Sequence, residues 1–277
     1  MIEQGLYRKV KIAGKVAALI PAFALGLPAQ WLALKLAPRL ARWLPVYFHR
    51  YVLLVLGVRV ERVGVVDVRK PLLITANHLS WLDILVISSL FPVSFIAKSE
   101  VGEWPLFGTL ARLQRSIFVE RQRRGKTGDV NRAIAARMLD GDALVLFAEG
   151  TTGDGTRILP FRSALIGAAQ AATGDVATGD STGESFIQPV NIAYPRIGGL
   201  PIGRGNHALI AWHGDMELVP HLSDFLTLPG VDCRVTLLPA RTVGPGTDRK
   251  AMTRQLEAEI RAAHARALSG RSHQIEG

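Results

Sequence analysis

The chain has 277 residues, which gives room for one large domain or for one domain with appendages. Its formal net charge of +10 favours an anionic partner such as a phospholipid surface, whereas 7% aromatic residues and no aromatic-rich basic strand argue against nucleic acid. Its one cysteine, Cys233, excludes an intrachain disulfide and fits a reducing compartment.

The amino-terminal region contains two apolar stretches. Residues 16–34 are long enough for a spanning helix, but they contain Pro21 and Pro28, and basic residues lie on both sides. These features favour a broken, re-entrant or interfacial segment held on one anionic face. A cleaved signal peptide fits less well, because a second apolar stretch, 43–58, follows at once. The sequence therefore predicts a membrane-associated helical hairpin over residues 1–58.

Strand and helix patterns alternate along the rest of the chain. Strands are predicted at 58–63, 72–76, 94–97, 116–120, 143–148, 186–193, 208–212 and 231–238. Helices are predicted near 80–90, 128–139, 162–172 and 248–267. This order predicts an α/β fold with a central, mostly parallel sheet flanked by helices. We expect it to occupy residues 59–268, followed by a disordered tail at 269–277.

A polar cluster lies between two apolar runs in residues 74–91, ITANHLSWLDILVISSLF. Ser80 and Asp83 fit a helix capping box, which leaves Asn77 and His78 unexplained. His78 follows the carboxyl end of a predicted strand, where open α/β sheets bind their ligands. An imidazole held by a nearby carboxylate is a general base for a hydroxyl proton. The alternatives for an isolated histidine are a hydrogen-bonded core residue and a metal ligand.

Four sequence blocks carry a family resemblance. They are NHLSWLD at 77–83, RSIFVER at 115–121, FAEGTTGDGTRILPFRSAL at 147–165 and IQPVNIAY at 187–194. In order and approximate spacing they resemble the signature blocks of the glycerolipid acyltransferases, the family of 1-acylglycerol-3-phosphate acyltransferases. Ala148 stands where that family usually has proline, and a Gly-Asp-Gly turn follows Thr152. These departures bear on the substrate more than on the reaction.

The resemblance implies acyl transfer from a thioester directly to a hydroxyl, without a covalent enzyme intermediate. His78 is then the expected base, and Asp83 orients and stabilises its imidazolium. Arg115 and Arg121, at the two ends of the second block, are expected to bind the phosphate or carboxylate of the acceptor. No metal or other cofactor is expected, and acyl-CoA or acyl carrier protein serves as the acyl donor.

Other polar residues have expected roles on chemical grounds. The remaining predicted substrate-binding residues are Asn77, Ser80, Lys98, Glu149, Gly150 and Thr151. Lys98 adds charge to the pocket, and Glu149 fixes basic groups or acceptor hydroxyls. Gly150 permits a positive φ angle, and the backbone N–H groups around it are expected to hold an anionic oxygen. Arg157 and Arg162 are expected to contact the acyl carrier, and they fit surface charges equally well.

The predicted partners are anionic membrane lipids, a lysolipid acceptor and acyl-CoA or acyl carrier protein, with no nucleic acid. The predicted location is the cytoplasmic face of the inner membrane, reached as a monotopic or single-hairpin protein. Lysophosphatidic acid, which gives phosphatidic acid, is the commonest acceptor of the family. Residues 147–165 and AWHGDMELVPHL, at 211–222, also resemble a bacterial subgroup that includes lyso-ornithine lipid acyltransferases. A non-catalytic peripheral membrane protein is the alternative of another class, and the intact His78–Asp83 pair argues against it.

Overall fold

The computed structural model describes residues 2–120, 127–163, 166–173 and 183–269. Its helices are α1 Ile2–Leu36, α2 Pro38–Leu56, α3 Leu82–Leu90, α4 Phe107–Leu113, α5 Thr127–Leu139, α6 Gly167–Ala171, α7 Leu218–Leu226 and α8 Arg249–Leu268. Its strands are β1 Val58–Val63, β2 Leu72–Ala76, β3 Ser94–Lys98, β4 Ile117–Val119, β5 Leu144–Phe147, β6 Ser185–Ile197, β7 Leu200–Pro201, β8 Val231–Leu237 and β9 Arg241–Val243. The predicted tail lies, apart from its first residue, outside the described residues.

The first two helices form the predicted hairpin. They run antiparallel: the Phe23 and Phe48 rings pack edge to face with 5.2 Å between centroids, and the Tyr51 hydroxyl donates to the Ala18 carbonyl at 2.8 Å. The break expected in the first apolar stretch is absent, because α1 continues through Pro21 and Pro28. Each proline removes only one N–H from the helix, and packing against α2 supports the helix on either side. Residues 5–36 of α1 are long and apolar enough to cross a membrane.

The hairpin is fixed to the rest of the protein at several points along α1. The Gln30 amide donates to the Leu113 carbonyl at 2.9 Å, and the Lys11 ammonium donates to the Thr227 carbonyl at 2.8 Å. The outer face stays exposed. Its large apolar side chains are Leu6, Tyr7, Val10, Val16, Ile20, Leu25, Trp31, Leu32, Leu36, Leu40, Trp43, Tyr47, Tyr51 and Leu54. The hairpin therefore joins the body by one face and presents a broad apolar surface on the other.

The strands form one sheet in the order β1-β8-β6-β2-β5-β3-β4, with β7 and β9 paired to β6. Pairs are parallel except those that β6 makes with β7, β8 and β9. Every residue of β2 and β5 is buried. Side chains from β5 alternate between a core under α2, α3 and α7 and a core under α5, α6 and α8. This confirms a mostly parallel sheet with helices on both faces.

One predicted strand is wrong. Residues 208–212 do not pair with the sheet, because Arg204–Leu209 is a 3-10 helix. The N–H groups of Ile210 and Ala211 both donate to the His207 carbonyl, at 3.0 and 2.7 Å. The apolar run there belongs to a turn whose last residues are buried in the core. Helices α4 and α7 were also not predicted from the sequence.

The sheet has two functionally different edges. The parallel strands β2, β5, β3 and β4 end at Ala76, Phe147, Lys98 and Val119, and we call this side the carboxyl edge. The side on which the same strands begin is the amino edge. Loops at the carboxyl edge carry most of the predicted site.

Candidate active site

His78 lies in the loop between β2 and α3, where its ring is held on two sides. Its Nδ1 is 2.9 Å from Oδ2 of Asp83, and the ring stacks on Phe147 with 3.8 Å between centroids and 10° between planes. Because a carboxylate only accepts hydrogen bonds, Nδ1 carries the proton of neutral His78, and Nε2 has the lone pair. The side chain is 17% exposed. The ring can therefore take a proton from a molecule that enters at the carboxyl edge.

Asp83 is fully buried and accepts four hydrogen bonds. Besides His78, its Oδ2 accepts the N–H groups of Leu79 and Ser80 at 2.6 and 2.9 Å, and its Oδ1 accepts the Tyr194 hydroxyl at 2.7 Å. Burial raises the pKa of Tyr194 well above its ordinary value, so this phenol remains a donor. A buried carboxylate with this many donors keeps one position and can balance the charge of a protonated imidazole.

The predicted capping box is half formed. Asp83 reaches back to the Ser80 N–H as expected, but the buried Ser80 hydroxyl has no hydrogen-bond partner within the part of the chain that the structure describes. The carboxylate is shared between the start of α3 and His78. Its capping role and its site role therefore coexist.

Asn77 joins two strands. Its amide accepts the Ile192 N–H at 2.8 Å and donates to the Ile192 carbonyl at 2.9 Å, extending the pairing of β2 with β6 by one residue. Asn77 is fully buried. Both functions of the amide are used within the fold, which gives Asn77 a structural role, and its predicted contact with substrate stays a prediction.

Glu149 fixes the loop that carries His78. Its Oε1 accepts the His78 N–H at 2.8 Å and its Oε2 accepts the Leu159 N–H at 2.8 Å. Only 3% of the residue is exposed, and burial raises its pKa to about 7. From its position in the sequence, Glu149 is expected to fix basic groups or acceptor hydroxyls. The partners that the structure gives it are backbone amides.

Gly150 has the positive φ angle that the sequence allowed, 74°. Its N–H donates to the Phe147 carbonyl at 3.1 Å, so this N–H does not point to a substrate oxygen as expected. The Gly153 N–H donates to the His78 carbonyl at 2.8 Å and ties the two loops together. Thr151 is exposed between them.

The sequence matches a family model and several known proteins. The family model described as Acyltransferase matches residues 57–193. The lyso-ornithine lipid O-acyltransferase of Brucella abortus (strain 2308) is 47% identical over 262 residues, which cover 95% of this chain and 97% of that protein. The chain belongs to the acyltransferase family. His78, Asp83 and Glu149 all lie inside the matched region.

Other acyltransferases are similar over much of the chain. The lyso-ornithine lipid O-acyltransferase of Rhizobium meliloti (strain 1021) is 44% identical, covering 89% of this chain and 83% of that protein. A 1-acyl-sn-glycerol-3-phosphate acyltransferase of Neisseria meningitidis serogroup B is 30% identical, covering 70% and 69%. The crystal structure of the 1-acyl-sn-glycerophosphate (LPA) acyltransferase of Thermotoga maritima has a TM-score of 0.67, with 17% identity and 98% of each chain covered. The last comparison shows the shared acyltransferase fold.

The predicted basic residues of the acyltransferase site are only partly brought together. Lys98 ends β3 at the carboxyl edge and is exposed. Arg157 and Arg162 are exposed in the loop after β5, and the Arg162 N–H donates to the Ala148 carbonyl at 2.8 Å. Arg121 lies outside the described residues, so its role stays a prediction.

Arg115 is not part of the cluster around His78. It lies at the amino edge, before β4, where its guanidinium is 2.9 Å from the Asp142 carboxylate. Because a strand runs from one edge of the sheet to the other, residues before and after β4 lie at opposite edges. Arg115 therefore lies at the edge opposite His78, and its expected binding of the acceptor stays a prediction.

Tyr194 is a member of the site that sequence reasoning missed. It lies in the fourth block, and its partner Asp83 is 111 residues away in the chain. No local sequence pattern around Tyr194 indicates that partner. Because a buried tyrosine hydroxyl usually has a hydrogen-bond acceptor, the sequence could predict that Tyr194 has one. Only the fold identifies that acceptor as Asp83.

Proposed function

We propose that this acyltransferase moves a fatty acyl group from an acyl thioester to the free hydroxyl of a lysolipid. The observation that carries the proposal is the contact of 2.9 Å between the His78 imidazole and the buried Asp83 carboxylate at the carboxyl edge. A base positioned in this way typically contributes about 10²–10⁴-fold to a rate.

The steps follow from the tautomer that Asp83 selects. Nε2 of His78 takes the proton of the acceptor hydroxyl as its oxygen bonds to the thioester carbonyl carbon. Asp83 accepts a hydrogen bond from Nδ1 throughout and offsets the charge of the imidazolium. The tetrahedral intermediate collapses, the carbon–sulfur bond breaks, and the imidazolium returns its proton to the leaving thiolate. The products are an ester and a free thiol, and acyl-CoA or acyl carrier protein supplies the thioester.

The proposed acceptor is lyso-ornithine lipid. Two relatives named lyso-ornithine lipid O-acyltransferase are 47% and 44% identical to the chain and match along most of it, whereas the 1-acyl-sn-glycerol-3-phosphate acyltransferase described above is 30% identical. This reverses the order expected from the commonest acceptor of the family. Lysophosphatidic acid is the second candidate, because that 30% identical relative covers 70% of the chain.

We place the protein on a membrane through the α1–α2 hairpin and on the cytoplasmic face of the inner membrane. The exposed apolar face of the hairpin supports this, together with exposed basic residues at its turn. The Lys35 ammonium lies 3.7 Å from the centre of the Trp31 ring, a pairing suited to the boundary between acyl chains and anionic headgroups. Anionic lipids are the proposed partners of this surface, and the body from residue 59 onward carries the chemistry.

The first experiment measures transfer of a labelled acyl group by membranes containing wild type, His78→Ala or His213→Ala, with both acceptors supplied separately. We expect label in lyso-ornithine lipid with wild type and His213→Ala, and a loss of at least about 10²-fold with His78→Ala. The His213 change removes the same side chain outside the Asp83 pair and controls for loss of a histidine.

Each outcome has a distinct meaning. Label in lysophosphatidic acid alone would exchange the two acceptors. Activity that survives His78→Ala would reject His78 as the base. No label in either acceptor, from protein that is folded and bound to the membrane, would favour the non-catalytic alternative.

A further inference from the structure

A polar cavity opens at the amino edge of the sheet, opposite the edge where His78 lies. Its volume is about 290 Å³, and its lining includes Arg42 and Trp43 of α2, Lys70, Arg115 and Asp142. Asp142 precedes β5 and Glu149 follows it, so seven residues separate the edges. At about 3.3 Å per residue, this is roughly 20 Å. A ligand held here therefore cannot present its headgroup at His78.

The cavity has more positive charge than its acid can balance. The buried Asp142 carboxylate is 2.6 Å from Arg137, 2.9 Å from Arg115 and 3.5 Å from Arg42. Among the described lining residues Asp142 is the one acid, while Lys70 adds a further cation. Three guanidiniums share one carboxylate. Arg42, Arg115 and Lys70 line the cavity with Asp142, so the lining carries a net positive charge.

Arg42 is the least engaged of these groups. Its contact with Asp142 is the longest of the three, and 44% of its side chain is exposed. Guanidinium groups prefer to grip two oxygens of a phosphate or carboxylate, and Asp142 has both of its oxygens occupied by Arg115 and Arg137. An incoming oxyanion would complete the coordination of Arg42 and Lys70.

We propose that this cavity is a binding site for a phosphate group, separate from the reaction centre. Exposed Leu40 and Trp43 lie beside Arg42, at the turn of the hairpin whose apolar face we assign to the membrane. A phosphate there can belong to an anionic lipid headgroup or be free in solution. The site holds the hairpin turn to the sheet through a shared anion and is independent of the acyl acceptor.

The test uses the full-length chain in a non-ionic detergent with two probes, dioctanoyl phosphatidylglycerol and inorganic phosphate, against sodium chloride of equal ionic strength. Neither probe is an acceptor or a product of the proposed reaction. Binding is measured calorimetrically for wild type, Arg42→Glu and Arg39→Glu. Both substitutions change the charge equally, three residues apart on α2, but only Arg42 lines the cavity. Lys70→Gln is the second variant, should Arg42→Glu fail to fold.

We expect Arg42→Glu or Lys70→Gln to weaken binding by about tenfold or more, and Arg39→Glu to stay within about twofold of wild type. Binding of phosphatidylglycerol alone would identify a lipid headgroup, and equal binding of phosphate would identify a free oxyanion. Equal losses of binding in Arg42→Glu and Arg39→Glu would mean that the anion is attracted by the overall positive charge, and this would overturn the proposed site. Binding no stronger than in the chloride control would overturn it as well. Acyl transfer, measured in the same preparations, reports separately on the proposed function.

Discussion

At the scale of single residues, two buried carboxyl groups meet in the loop that carries His78. Asp83 has four donors, one of them the imidazole, and Glu149 has two backbone donors. Asp83 therefore serves the histidine directly, whereas Glu149 sets the path of the chain that presents it. The raised pKa of Glu149 makes its contribution depend on pH.

Glu149 should make the folded state less stable as pH rises. Its pKa is raised by burial from 4.5 to about 7, so the folded state binds a proton more tightly than the unfolded state does. Its stabilising contribution is complete below about pH 4.5 and is lost by about pH 7, a change of about 3 kcal/mol.

Denaturant unfolding of wild type and Glu149→Gln at pH 4.5, 5.5 and 7 measures this effect. Glutamine resembles the protonated acid but does not titrate. The stability of wild type relative to this variant should therefore fall across the range. A difference that stays constant with pH would show that burial does not govern Glu149.

At the scale of elements, the apolar runs predicted the sheet well because buried parallel strands are continuously apolar. β2, LLITA, which is buried throughout, begins and ends at the predicted residues. The apolar run at 208–212 led to a wrong strand prediction, because burial in a turn gives the same local pattern as burial in a strand. Partners across the sheet, such as Ile192 for Asn77, lie 115 residues away, so no local pattern could show them.

Asn77→Ala should weaken the junction between β2 and β6. It leaves the N–H and carbonyl of Ile192 buried without their partner, at about 1–3 kcal/mol each. We expect the unfolding free energy to fall by about 2–4 kcal/mol. Asn206→Ala, at an exposed asparagine, controls for the change in side chain. A variant as stable as wild type but inactive would return Asn77 to the substrate-binding role predicted from the sequence.

At the scale of the whole molecule, the exposed face of α1 should decide attachment to lipid. Leu25 is 73% exposed on that face, and transferring a leucine side chain out of water is worth about 1.5–3 kcal/mol. Leu25→Asp should therefore reduce sedimentation with vesicles by about tenfold or more.

Leu139→Asp is the matched control for Leu25→Asp. Leu139 is 49% exposed on α5, which packs on the opposite face of the sheet from α2. Its substitution should leave vesicle binding unchanged. Equal losses in both variants would mean that the hairpin face is not the surface that meets the bilayer.

The pairing of β1 with β8 also determines when β1 can join the sheet during synthesis. Val58 of β1 pairs with Val231 of β8, which is synthesised 173 residues later, so β1 cannot pair until then. At about 5–20 residues per second, that interval lasts roughly 9 to 35 s on the ribosome. For most of it, Thr227, whose carbonyl accepts the Lys11 ammonium of α1, has yet to be translated. The nascent hairpin can thus settle into lipid before the catalytic body that it carries has closed.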